Sequence, residues 1–246
     1  MKRFLILASI LALPVTAFAE IDEVYSPLVT KNSLEIEYKG VRLGDKSSTF
    51  ENSQAHEVEI NYGITDDFRL GLIGQAQRSS GDSFHSEGFG AQALYTTTHQ
   101  DDWWLNSGIL GEYVIANHDN SPDSLEARIL LSRVQGPLTL SSNLILGREL
   151  GPNHTGGVGF GANAQALYDV GFEHLTPGIE WYGEFGRLNH FGDENSEQHY
   201  IGPVVTGEIA EFGNSDIGYS AGYYWGLTDN SADHGARISL DFDIRF

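Results

Sequence analysis

Charged side chains recur at every second position in several stretches of this chain. The segment LEIEYKG carries Glu35, Glu37 and Lys39, HEVEINY carries Glu57 and Glu59, and EWYGEFGR carries Glu180 and Glu184. Arg69, Glu112, Glu126, Arg128, Glu208, Arg237, Asp241, Asp243 and Arg245 fall at equivalent positions, so eleven acids stand against five bases on one common face. Lining a narrow passage, that set would favour cations and repel anions, because low-dielectric walls focus the field. Packed in an interior, the same groups would pair and brace it, each charge exchanging water for hydrogen bonds. The alternation alone leaves both readings open.

Paired carboxylates can also act as general acid and base, but no spacing singles out two of these glutamates. Ser83 and His85 in GDSFHS match no nucleophile elbow. The stretch GGVGFGANA, from Gly156 to Ala164, is glycine-rich but sits inside a strand pattern with no helix after it, so it lacks the context of a phosphate cradle. We therefore expect no enzyme and no cofactor. Of nine histidines, seven (His56, His85, His118, His154, His190, His199 and His234) fall toward the polar connections, and none sits at a ligand spacing. No metal site is expected. Asp119, Asp123, Asp193 and Glu194 are the acids placed to meet divalent cations at the surface.

These side chains share a face only if the elements carrying them are strands, since successive strand residues point to opposite sides. Val58, Ile60 and Tyr62 alternate with Glu57, Glu59 and Asn61, and the last nine residues, ISLDFDIRF, alternate in the same way up to Phe246. Period-two patterning between turn residues predicts twelve strands: 33–41, 55–63, 67–77, 87–97, 103–115, 124–134, 138–149, 157–168, 177–187, 198–209, 216–226 and 234–246. Short connections follow the even-numbered strands and longer polar ones follow the odd, the rhythm of an up-and-down membrane barrel with tight turns at one rim. Aromatics gather toward both strand ends: Tyr62, Phe68, Tyr95, Trp103, Tyr168 and Phe246 at the short-turn side, and Tyr38, Phe89, Tyr113, Phe160, Phe185, Tyr223 and Trp225 at the other. Rings with polar tips favour the headgroup level, so two girdles are expected. Pro203 has no N–H for a ladder, which predicts a bulge or a shorter strand there.

The start of the chain, MKRFLILASILALPVTAFAE, has two basic residues, an apolar run and Ala17-Phe18-Ala19, the pattern of a cleaved secretory leader. Its apolar run falls short of the ~20 residues of a spanning helix. Cleavage after Ala19 would leave 227 residues and take the formal charge from −20 to −22. So acidic a chain is not built to bind nucleic acid. There is no cysteine, hence no disulfide framework and no lipoprotein anchor.

The alternating segments, the aromatic placement and the terminal ISLDFDIRF resemble the outer-membrane β-barrels of Gram-negative bacteria over essentially all of residues 20–246. The resemblance implies an all-β, closed antiparallel transmembrane barrel in the cell outer membrane, in contact with its lipid and lipopolysaccharide. It also implies that Ile238, Leu240, Phe242, Ile244 and Phe246 form a signal read by the barrel-assembly machinery. NYGITDDFRLGL, echoed by YYWGLTD, further resembles transporters of the phenol-degradation-pathway type. The function expected is a narrow passive channel or transporter for small cationic or neutral solutes. The alternative is a non-conducting surface protein whose outer loops bind a partner, lipopolysaccharide or ions.

Overall fold

Alternating sequences become strands here because each places its apolar set on one side and its polar set on the other, and a strand in lipid must pair both of its edges. The structure, a computed structural model, describes residues 21–45, 50–118, 121–172, 174–191 and 197–246. The leader 1–19, with its cleavage site, lies outside the described residues.

Twelve long strands form the wall: β1 (Ser33–Gly44), β2 (Gln54–Gly63), β3 (Phe68–Arg78), β4 (His85–Thr98), β5 (Asn106–Ala116), β6 (Asp123–Gln135), β7 (Leu138–Leu150), β8 (Gly159–Tyr168), β9 (Thr176–Arg187), β11 (Gln198–Phe212), β12 (Ser215–Gly226) and β13 (His234–Arg245). A two-residue strand, β10 (His190–Phe191), folds back on the outer end of β9. Every long strand pairs antiparallel with its neighbours. Closure comes from β13 on β1, in register from Ser33↔Arg245 to Gly44↔His234, and the chain of pairings runs unbroken through β8 on β9. The all-β, twelve-stranded closed barrel expected from the alternation is thus the observed fold. Among the described residues no helix is long and apolar enough to cross a membrane.

The two faces divide as the pattern requires. In β13, Arg237 and Ser239 are buried inside while Ile238 and Leu240 stand exposed on the outer surface. Tyr62, Tyr95, Trp103, Tyr168 and Phe246 are exposed at the short-turn rim, and Phe89, Tyr113, Tyr223 and Trp225 are exposed toward the other. Phe246 follows the last strand residue, and its N–H donates to the Asn32 carbonyl (2.9 Å), tying the chain end to the residue before β1.

Two local expectations are corrected. The fifth strand begins at Asn106 rather than 103, because the Asp102 and Trp103 N–H groups both donate to the His99 carbonyl and close a turn that holds Trp103. Pro203 causes neither a bulge nor a shorter strand. The β11–β12 ladder lapses over 202–203 but resumes in the same register, from Ile201↔Trp225 to Val204↔Gly222. Pro203 stays paired with Ile179 of β9, so its missing N–H costs one rung on one side. The bulge of β11 lies instead between Glu208 and Ala210.

Candidate functional site

The lumen is filled by the chain itself. Residues 21–32 run inside the barrel, from Ile21 packed against Leu43, Tyr200, Tyr224 and Ala232 near the loop rim down to Asn32, whose N–H donates to the Gly63 carbonyl (2.8 Å) at the short-turn rim. An irregular segment in a barrel interior has no ladder, so its backbone must be satisfied by wall side chains. Asn143 accepts from the Tyr25 N–H (2.8 Å) and donates to the Tyr25 carbonyl (3.0 Å), and Asn163 donates to the Glu23 carbonyl (3.2 Å). Arg237 donates to the Asp22 carbonyl (2.6 Å) and Thr96 to the Pro27 carbonyl (2.6 Å). Five hydrogen bonds from four strands hold one short segment.

Its side chains tie into the charged wall. Asp22 pairs with Arg128 (2.6 Å) and approaches Lys39 (3.7 Å). The Tyr25 hydroxyl donates to Glu59 (2.6 Å), and the Tyr25 ring lies between Lys39 Nζ at 4.5 Å and the Arg128 guanidinium at 4.8 Å, a double cation–π contact. Tyr25 also joins Leu94, Leu110, Leu130 and Val29 in a buried apolar cluster. Gly63 makes room where the segment turns into β1, since a Cβ there would come within 1.9 Å of the Thr30 carbonyl oxygen. Gly63→Ala should therefore destabilise the folded barrel by about 1–3 kcal/mol through overpacking. The check is its urea midpoint in detergent; a midpoint unchanged from the parent would show that the turn relaxes freely.

The residues expected at the lumen sort into three levels, most of them buried or bordering interior clefts, with Glu208 and Arg245 exposed. In the middle, Glu59, Glu180, Arg128, Arg237 and Lys39 are buried and paired: Lys39 with Glu57 (2.6 Å) and Glu59, Arg128 with Glu126 as well as Asp22, and Arg237 with Glu180 (3.0 Å). Glu37 is buried beside Glu23 of the segment. On the loop side, Glu57, Glu112 and Glu126 border a cleft of about 160 Å³, and Glu126 and Glu184 border an adjoining one of about 250 Å³. Glu112 and Glu126 stand directly opposite each other on β5 and β6. At the short-turn mouth, Glu35 and Arg69 pair at 3.3 Å and, with Asp243 and Arg245, line a pocket of about 90 Å³, while Arg245 also pairs with Asp216 (2.8 Å). Asp241 is half-buried, and Glu208 is exposed near the same mouth.

Pairing, rather than contact with open water, accounts for the middle of this wall. Asp22, Tyr25, Asn61, Gln92, Asn143 and Asn163 were absent from the expected site. The legible signal was the amides: lumen-side Asn and Gln at mid-height can bond a peptide backbone, which an ion path does not need. Of the loop acids expected to meet cations, Asp123 accepts from the Tyr113 hydroxyl (2.6 Å), whereas Asp119, Asp193 and Glu194 lie outside the described residues.

No protein-family model matches the sequence, and no curated protein is similar to it. Several solved structures are similar in fold. LpxR from Salmonella typhimurium is 9% identical, with 86% of this chain and 100% of that one covered at a TM-score of 0.44. A loop-deletion form of OmpT, an outer membrane protein of Vibrio cholerae, is 11% identical over 86% and 97% at 0.39. The outer membrane channel DcaP of Acinetobacter baumannii is 10% identical over 87% and 96% at 0.31. At these scores the likenesses carry no argument about activity, and what they share with this chain is the outer-membrane barrel. One expectation is corrected: that the chain is no enzyme rested only on the lack of a recognised motif, and that lack excludes nothing.

Proposed function

We propose that this outer-membrane barrel is a closed transporter-type channel for small cationic or neutral solutes, held shut by its own segment 21–32. The observation that carries the reading is the backbone of residues 22–27, bonded to the lumen wall by Asn143, Asn163, Arg237 and Thr96. A solute can pass only where that segment moves aside. The clefts above it are bordered by Glu57, Glu112, Glu126, Glu149 and Glu184, whose field would concentrate cations at the outer mouth. The resemblance of NYGITDDFRLGL to phenol-degradation-pathway transporters agrees with such a role. Those residues form the end of β2, the turn after it and the start of β3.

Planar-bilayer recording with ion substitution tests this. The parent barrel should be silent or flicker, and a chain lacking residues 21–28 should show discrete, cation-preferring steps. Glu112→Gln with Glu126→Gln in that background should reduce the preference. A folded deletion variant that stays silent would remove the channel reading in favour of a surface protein whose outer loops take a partner, lipopolysaccharide or ions. The terminal strand is proposed as the part read by the assembly machinery, with Phe246 exposed at its end. Deleting Phe246 should lower outer-membrane yield more than any loop substitution, as judged by heat-modifiable mobility on gels.

A further inference from the structure

The geometry points to a divalent transition-metal site of the zinc class at the outer rim of the barrel, formed by His85, Glu87 and His118. One ligand atom from each residue lies within 4.8 Å of the other two. His85 and Glu87 sit at the start of β4, and His118 lies two residues past the end of β5. The ladder between those strands is carried outward by the Asn117 N–H donating to the Glu87 carbonyl (2.7 Å), and Asn117 Nδ2 donates to Ser86 (2.6 Å). That extension brings the His118 ring to 5.4 Å from the His85 ring.

A bulge aims the carboxylate. Between β3 and β4 the register steps from Gln75↔Gly88 to Ala76↔Ser86, which leaves Glu87 as the extra residue. Strict alternation from Gly88 and Gln92 would point Glu87 toward lipid. With the bulge, Glu87 borders the inner cleft beside Gln75 and Gln77, its side chain 11% exposed. Bulges recur beside functional sites for this reason: they redirect one side chain without breaking the sheet.

The surrounding groups orient the ligands as a metal site requires. His85 Nδ1 faces the Ser83 carbonyl at 3.2 Å, so the proton on Nδ1 is engaged there and Nε2 is turned toward Glu87, 2.6 Å from its Oε1. Gln77 Nε2 donates to the same carboxylate and fixes its rotamer. Backbone carbonyls and amides in these outer positions set the tautomer and orientation of metal-binding histidines. Two imidazoles and one carboxylate suit zinc and its late first-row neighbours, and exclude magnesium and calcium, which want oxygen ligands throughout. Tetrahedral zinc holds its ligand atoms about 3.3 Å apart. The metal would take the place of the direct His85–Glu87 contact and widen it from 2.6 Å, the exposed His118 ring would move in, and a fourth position stays open to water.

Titration of untagged full-length protein in detergent, stripped with chelator and then given Zn²⁺ alone, should show one saturable equivalent with proton release. His118→Ala and Glu87→Gln should each weaken binding at least tenfold, and Gln77→Ala should weaken it roughly tenfold by freeing the carboxylate. Excess Mg²⁺ or Ca²⁺ should not compete. Because His118 lies in an exposed connection, its variant should keep the parent's heat-modifiable mobility. Absence of a saturable site in the parent, or equal affinity in parent, His118→Ala and His85→Ala, would reduce the cluster to an ordinary histidine–carboxylate contact.

Discussion

Arg237→Met should cost the barrel about 3–5 kcal/mol, the penalty for removing one partner of a buried ion pair and stranding the other charge. The guanidinium is 1% exposed and Glu180 is 0% exposed. Arg237 also donates to Ser220 (3.1 Å), the Tyr182 hydroxyl and the Asp22 carbonyl, so one side chain joins β9, β12 and the lumen segment to β13. Without it, Glu180 keeps Gln165 (2.6 Å), Tyr182 (2.8 Å) and Tyr224 as donors but has no countercharge. Urea unfolding in detergent is the measurement. Glu180→Gln in the same chain should return part of the loss, because a neutral amide needs no cation. A single variant within about 0.5 kcal/mol of the parent would mean water already reaches the pair.

Lys39→Met should loosen the lumen segment as well as the wall. Lys39 is the cation shared by Asp22, Glu57 and Glu59, with side-chain exposures of 5% for the lysine and 17%, 18% and 0% for the acids. Removing it leaves three close carboxylates with Arg128 on Asp22 as the remaining cation, and it takes the ammonium off the Tyr25 ring. The loss should again be about 3–5 kcal/mol. Amides of residues 22–29 should exchange hydrogen faster, which a purely mural role would not produce. A double-mutant cycle with Glu59→Gln should give a coupling above about 1 kcal/mol. Unchanged exchange in the segment would show that Asn143, Asn163, Arg237 and Thr96 hold it without Lys39.

The metal proposal and the lumen segment illustrate why parts of the site escaped the linear reading. His85 and Glu87 are two apart in sequence, but their partner His118 arrives from the next strand, and a bulge that period-two counting cannot see decides where Glu87 points. Residues 21–32 carry no periodic pattern, so nothing in IDEVYSPLVTKN announces that it will lie inside a cylinder formed by residues far downstream.

Alternation by itself determined the strands, most of their inward and outward faces and the closed barrel, because period two in lipid leaves the backbone no other way to pair all its groups. Tertiary structure alone decided that Asp22 meets Arg128, that Glu180 braces Arg237 rather than lining an open path, and that Tyr25 is clamped by Asn143 across 118 residues of chain. Those outcomes depend on which inward positions share a height once the cylinder closes, and height is set by strand register and bulges, quantities that no single segment contains.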